Sequence, residues 1–432
     1  MKRGFLILLA ALPLCSRAQE NTFSVEADHL TRGEFRNGGL YVSDEGNSKY
    51  AAFILGRTRL LASYSTPSLS ARFTAQHAGT WGSGEGSSLA IYESWVQMQS
   101  SKGFFAKVGR QTLSYDDQRI FGSDDWSMTG ISHDGLKLGF EGGEHKVHLF
   151  GAYNQDLANM VQGGTRFSGG IQPYKSLVAA WYHYDIPKVP LGASLFFTDM
   201  GVQPLSDGEG ERHTYFQNLA GAFLSWKPGI WDMEAAYYHQ WGKEQNGIPL
   251  NAWMASGKVT ANPSSKWKLR AGYDYLSGEE NFALPEHGMI GLTHHEVVQG
   301  FCSLYGSRHQ FYGAMDFFYV STYVNGFTPG LQNLFIGATW KPGKKFSTDA
   351  ACHLLSTAAP IDDAGKVLGH ELEFTVAWSP RSDMSLSAGY TFMQGTETMY
   401  LLKRSTENNR LHWAWLMLQV TPKFFSTNSK AR

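Results

Sequence analysis

Apolar and polar residues alternate at period two through most of the chain, which predicts strands with one dry face and one wet face. In "SARFTAQ", Ala71, Phe73 and Ala75 share one face while Ser70, Arg72, Thr74 and Gln76 share the other. In "WKLRAGYDY", Trp267, Leu269, Ala271, Tyr273 and Tyr275 oppose Lys268, Arg270 and Asp274. In "LEFTVAW", Leu372, Phe374, Val376 and Trp378 oppose Glu373 and Thr375. The alternation predicts eighteen strands, over 22–34, 50–65, 68–79, 88–100, 103–115, 132–142, 145–156, 176–186, 189–203, 214–227, 231–243, 251–262, 266–278, 331–341, 345–357, 368–379, 384–395 and 411–425. Most run about 11 to 14 residues, whereas soluble sandwich strands run about 5 to 6 and a tilted membrane-crossing strand needs about 9 to 11. Parity alone would suit a soluble sandwich. Combined with this length, it points to hydrocarbon on one side of the sheet and water on the other.

The links between strands alternate in length. Even-numbered strands are followed by short turns: "STPS", "SSKG", "EGGEH", "IPKVP", "WKPG", "NPSSK", "KPGKK" and "SPRSD". Odd-numbered strands are followed by long polar segments such as "RNGGLYVSDEGNSK" and "QGTETMYLLKRSTENN". Outer-membrane barrels have this asymmetry, with short periplasmic turns and long external loops. An even strand count returns both termini to the periplasmic side, and the four-strand period of a soluble propeller is missing. Trp226, Trp231, Trp267, Trp340, Phe346, Trp378, Phe104 and Phe424 sit beside the short turns. Rings at that level form the girdle where sheet meets headgroups. The predicted fold is therefore all-β, a transmembrane antiparallel β-barrel of eighteen strands. It forms a single domain over 19–432 with outer-membrane lipid as its partner.

Composition agrees. Charged residues are 17% of the 432, against about 25% in soluble proteins, while aromatics reach 14% and glycines number 47. The formal net charge is −1 and no basic tract occurs, so nucleic acid is not an expected partner. Lys2 and Arg3 precede the apolar run "GFLILLAALPL", and "SRA" ends at Ala18 with small residues before Gln19. This reads as a secretory signal peptide over 1–18, and bulky Leu14 argues against a lipoprotein site at Cys15. Cys302 and Cys352 then remain, too few to staple a chain of this length. No later stretch has the roughly 18 to 20 consecutive apolar residues of a membrane helix.

The run "VGRQTLSYDDQRIFGSDDWSM", 108–128, starts as a strand and then sets Asp116, Asp117, Arg119, Asp124 and Asp125 around Ile120, Phe121 and Trp126. A solvated loop has no use for so much apolar surface, and a dry core does not accept so much charge. With its continuation, "GRQTLSYDDQRIFGSDDWSMTGISHDGLKLGF" (109–140) resembles alginate-export-type outer-membrane proteins, in particular their Bacteroidetes-like members. So do "GYDYLSGEE" (272–280), "YGSRHQFYGAMDFFY" (305–319) and "LGHELEFTVAW" (368–378), in matching order over nearly the whole mature chain. The resemblance implies an eighteen-stranded barrel that passes solutes across the outer membrane of a Gram-negative cell. Arg110, Arg119, Asp124, Asp125 and Asp134 fall in the family-like motif and are expected at the mouth or constriction. Phe121 and Trp126 would anchor this loop on the inner wall. The plainer alternative makes its carboxylates solvated loop charges tied by Arg119.

Residues 279–330 form the longest segment without a predicted strand and are rich in Phe and Tyr, so a plug or constriction is expected. Alternatively "FYGAMDFFYVSTY" is a further strand and the count becomes twenty. Alternation directs Arg57, Arg59, Arg72, Lys107, Lys137, Lys258, Lys268 and Arg270 inward, with Glu26, Asp28, Glu93, Glu234, Asp274, Glu371 and Glu373. Arg110 has the opposite parity to Lys107, so its direction depends on where the strand bends. Eighteen strands enclose a lumen too wide for side chains to fill, and selectivity then depends on lining charges. Mixed signs suggest a transverse field, and many of the charges could pair along the wall. The cargo expected is a small polar solute, anionic or zwitterionic, such as a sugar acid, or a polysaccharide such as a polyuronate.

"HHEVVQ" (294–299) and "HELEF" each lack the second His of a zinc-protease motif, and no G-x-S-x-G elbow, Walker loop or dinucleotide fingerprint occurs. No cofactor, metal or enzymatic activity is expected. A non-conducting adhesin or receptor barrel and, more remotely, a barrel-embedded lipase with Ser and His on its outer rim are the other classes in play.

Overall fold

The computed structural model describes residues 21–37, 50–83, 87–154, 173–203, 213–245, 247–279, 296–318, 328–361, 364–402 and 410–428. The predicted signal peptide lies outside these residues, as do 280–295 and 319–327 of the long segment. Every predicted strand forms. In order they are β1 (Thr22–Arg36), β2 (Ala51–Ser65), β3 (Leu69–Thr80), β4 (Ser88–Gln99), β5 (Phe104–Gln111) and β6 (His133–Gly142). Next come β7 (His145–Tyr153), β8 (Ser176–Asp185), β9 (Leu191–Val202), β10 (Tyr215–Trp226), β11 (Trp231–Lys243) and β12 (Pro249–Ser264). The rest are β13 (Trp267–Leu276), β14 (Leu331–Gly343), β15 (Phe346–Ser356), β16 (Val367–Arg381), β17 (Met384–Gly395), β18 (Arg410–Val420) and β19 (Lys423–Asn428). A short helix α1 (Glu397–Leu402) follows β17.

The predicted strand 411–425 is one stave in two pieces, β18 and β19, interrupted at Thr421 and Pro422. Proline has no N–H to give to a ladder, so the pairing breaks there. The Ala27 N–H donates to the Pro422 carbonyl at 3.0 Å across the gap. All neighbours are antiparallel and sequential. β1 pairs with β2 on one edge and with β18 and β19 on the other, so the sheet closes into a barrel of eighteen staves. No edge is left to pair with another chain.

Leu60, Phe73, Leu136, Leu195, Leu269, Ile336, Leu372 and Leu416 all point outward and are exposed. Below them the predicted girdle is in place: Trp226, Trp231, Trp267, Trp340, Phe346, Trp378, Phe104 and Phe424 are exposed at the periplasmic ends. Trp267 and Trp340 stack across β13 and β14 at 6.0 Å. The tight turn into β5 needs Gly103, at φ +90°, because a Cβ there would strike the Glu141 carbonyl oxygen.

Three expectations about the interior change. β5 ends at Gln111, before the predicted 115, and Leu113 and Tyr115 already belong to a buried interior cluster. The described part of 305–319, far from adding a strand, forms turns around a 3-10 turn at Arg308–Gln310. The inner wall is also not polar all round. Phe150, Leu177, Trp181, Phe196, Leu219, Tyr238 and Met254, on β7 to β12, turn inward and are buried. They form one apolar cluster with Leu113, Ile120, Phe121, Tyr305, Met315 and Phe317, so the hydrophobic core lies inside the barrel.

Outward parity gives a direct check. Replacing Leu60, in the middle of β2, by Arg puts a charge in hydrocarbon and is expected to cost about 2–4 kcal/mol. Reversible denaturant unfolding in lipid vesicles measures this, and an unchanged midpoint would place residue 60 away from lipid.

Candidate functional site

Two loops cross the lumen: the β5–β6 loop, 112–132, and the described part of the β13–β14 loop, 296–318. They join through backbone. The Tyr305 N–H donates to the Ile120 carbonyl at 2.8 Å, and the Gly122 N–H donates to the Tyr305 carbonyl at 2.9 Å. The Ser307 N–H donates to the Gln118 carbonyl at 2.9 Å. Phe121 is fully buried between His133, Phe196 and Tyr305, a burial contributing about 1.5–3 kcal/mol. Trp126 stacks on His309 at 3.9 Å, with the Arg32 guanidinium 4.0 Å over its ring. The ring that reads as a wall anchor thus also ties one loop to the other.

Arg119 is the knot between loops and wall. Its Nε meets Asp117 at 3.1 Å, while Nη1 meets Asp274 of β13 at 3.0 Å and donates to the Tyr312 hydroxyl at 2.9 Å. The Phe311 ring lies 4.3 Å from its guanidinium carbon. Burial works against the charge, but Asp274, Tyr312 and Asp117 outweigh it, and the guanidinium is held well above its ordinary range. Asp116 is half-buried. It accepts from Trp181 Nε1 at 3.1 Å and from the Ser194 hydroxyl at 2.6 Å, and burial raises its carboxyl above the ordinary value. Asp124 is 7% exposed. These carboxylates are therefore not simple solvated loop charges, and Arg119 ties far more than its own turn.

On β1 to β3, inward side chains grip the same loop by its carbonyls. Arg32 donates to Trp126 O at 3.0 Å, Arg57 to Asp125 O at 2.9 Å, and Gln76 to Thr129 O at 2.9 Å. Arg57 also pairs with Asp28 at 3.0 Å and Arg59 with Asp125 at 2.7 Å. Arg57 and Arg59, expected to face channel water, are on the inner wall but sealed beneath the loop at 2% and 5% exposure. Across the lumen, Ala314 N–H donates to Glu373 at 2.7 Å and Met315 N–H to Glu371 at 2.9 Å. Gly313, at φ +93°, permits this approach, since a Cβ would lie 2.8 Å from a Glu371 oxygen.

The remaining predicted positions divide. Arg110 and Asp134 require a correction: they pair at 2.8 Å but share the outward face with Val108 and Leu136. β5 keeps its alternation through Arg110, so no bend turns it inward. Arg72 pairs with Glu93 at 3.1 Å, Lys258 with Glu234 at 2.6 Å, and Arg270 with Asp349 through two contacts of 2.6 Å. A bulge at β4 sets both Tyr92 and Glu93 inward. Lys107, Lys137 and Lys268 face inward with no ion pair among the described residues. A cavity of about 200 Å³ lies beside Lys258, Arg270, Tyr312, His353 and Glu373. One of about 450 Å³ lies towards the long-loop side, beside Thr129, Gln217, Gln240, Glu244 and Tyr305.

Tyr312, Trp181, Ser194, His309, Gln76 and Asp349 were not singled out from sequence. The readable signal was the unbroken apolar runs in β8 and β9, such as "LFF" at 195–197, which mark strands covered on both faces. Ser194, His183 and Asp185 do form a hydrogen-bonded string, 2.8 and 3.0 Å. Ser194 is 1% exposed inside the barrel and its hydroxyl is given to Asp116, so it is no rim nucleophile.

The sequence profile of the alginate export family matches residues 68–365. No curated protein is significantly similar in sequence. Among solved structures the chain is similar to Pseudomonas aeruginosa OccK2 (OpdF), at 11% identity and TM-score 0.62 over 93% of this chain and 98% of that one. It is similar to Acinetobacter baumannii OccAB2, at 13% and 0.60 over 93% and 98%. It is also similar to a BenF-like porin from Pseudomonas fluorescens Pf-5, at 12% and 0.59 over 93% and 99%. With a closed eighteen-stave barrel, a girdled apolar exterior and a profile match over most of its length, the chain belongs to the alginate export family of the Gram-negative outer membrane.

Proposed function

We propose that this outer-membrane channel passes small anionic polar solutes, sugar acids or short uronates, through a constriction made by its two inward loops. The observation that carries the reading is the Arg119 knot, which fixes both loops to each other and to β13 inside the barrel. A loop held that firmly sets a size limit. Sign of charge is argued from the wall the loops leave open on β3 to β6, where Arg72, Lys107 and Lys137 stand against Glu93 and Glu141. A cationic wall beside low-dielectric lipid concentrates anions. The alginate export family fits this class of cargo, since a polyuronate carries about one negative charge per sugar.

A non-conducting barrel with a receptor role is the second reading, favoured by the apolar packing of Leu113, Phe121, Tyr305 and Phe317 within the lumen. Planar bilayers separate the two. The purified protein is expected to conduct, with a reversal potential in a potassium galacturonate gradient that reports anion permeation. Silence at all voltages would leave the receptor reading.

Arg119→Ala is expected to raise single-channel conductance and current noise. It leaves Asp117 and Asp274 buried without their cation, which weakens loop docking by about 3–5 kcal/mol. Arg119→Lys should restore part of the effect. Currents identical to wild type would remove Arg119 from the constriction.

A further inference from the structure

The periplasmic rim of the barrel is unevenly charged, and this charge takes no part in holding the loops. Around the β12–β13 and β14–β15 turns stand Lys266, Lys341, Lys344 and Lys345, all exposed. No carboxylate occurs within 261–268 or 339–347. Backbone joins the two turns, since the Lys341 N–H donates to the Lys266 carbonyl at 2.7 Å. The arc runs on to β16, where the Ser379 N–H donates to the Lys345 carbonyl at 2.8 Å. The turns of β6 to β9 differ: there Glu141, Glu144 and Asp185 stand with Lys146 and Lys188.

The lysines of the arc have no partner to answer their charge. None of the four makes an ion pair among the described residues. The carboxylates that follow along β15 and in the β16–β17 turn are taken, Asp349 by Arg270 at 2.6 Å and Asp383 by Arg381 at 2.8 Å. Elsewhere on the rim the pattern is pairing: Lys146 meets Asp185 and Lys423 meets Glu26, each at 3.6 Å. Like charges held on adjoining turns repel one another, and an anion set between them relieves that.

Their level tells which anion fits. Lys266 precedes Trp267, Lys341 follows Trp340 and Lys345 precedes Phe346, so each stands next to an exposed ring of the girdle. Such rings settle where hydrocarbon meets headgroups. A lysine one residue further towards the periplasm, on a long flexible stem, brings its ammonium to the lipid phosphates. We propose that this arc is a binding site for an anionic phospholipid of the periplasmic leaflet, its phosphate held by lysines of both turns. A headgroup with two phosphates gains most, because it can meet both turns at once. The site lies outside the lumen and does not depend on the transport reading.

Native mass spectrometry of the mature barrel in detergent, titrated with cardiolipin, phosphatidylglycerol or phosphatidylethanolamine, tests this. Wild type is expected to hold the two anionic lipids about tenfold more tightly than phosphatidylethanolamine. In K266Q/K341Q/K344Q/K345Q that preference should shrink to within about twofold, while the corresponding arginine variant keeps it. K102Q/K188Q, which removes two lysines from other turns, should bind like wild type. Heat-modifiable mobility on gels shows that each variant is folded. An undiminished preference in the fourfold glutamine variant, or an equal loss in K102Q/K188Q, overturns the site. Equal retention of all three lipids by wild type also overturns it, and leaves the arc to a soluble polyanion.

Discussion

In hydrocarbon no backbone N–H or carbonyl finds water, so a strand that crosses a membrane must be paired along both edges. The whole architecture follows from that constraint. β1 accepts β2 on one side and the broken final stave on the other, and the Ala27 to Pro422 hydrogen bond keeps the seam continuous where the ladder pauses. Once the sheet is closed, alternate side chains have no choice of environment. Those on one parity meet lipid, and those on the other meet whatever fills the lumen.

What fills this lumen is mostly the chain itself. Two loops bring an apolar core inside the barrel against β7 to β12, and a charged network against β1 to β3 and β13 to β16. Buried charges are tolerable only when their hydrogen-bonding capacity is met. The arginines of β1 and β2 meet most of it with loop carbonyls and carboxylates, leaving Arg57 Nε and Arg59 Nη2 without a partner, and the carboxylates of β16 meet it with loop N–H groups. Charge in the lumen therefore serves in part to hold the loops and in part to pair strand with strand along the wall, as in Arg72–Glu93, Lys258–Glu234 and Arg270–Asp349.

That division explains which parts of the fold and site were legible. Strand positions, turn lengths and the aromatic girdle depend on local pattern, and each predicted strand recurs with shifts of a few residues. The commonest error was to treat inward parity as access to water. Arg57 and Arg59 have inward parity but lie beneath a loop whose path no local rule encodes. Arg110 and Asp134 erred the other way: family resemblance placed them at the mouth, while their outward parity was already readable beside Val108 and Leu136.

The sequence by itself determined the class of the protein, because a period-two pattern and alternating link lengths are properties of neighbouring residues and need no knowledge of distant ones. Only the tertiary structure decided which charges are spoken for. Arg119 finds Asp274 and Tyr312 from strands and loops far along the chain, whereas Lys107, opposite Lys137, meets the Trp95 ring and no carboxylate within ion-pair distance among the described residues. Ion pairing is a matter of a few ångströms in space, and closing the barrel sets those distances between residues that the linear order keeps apart.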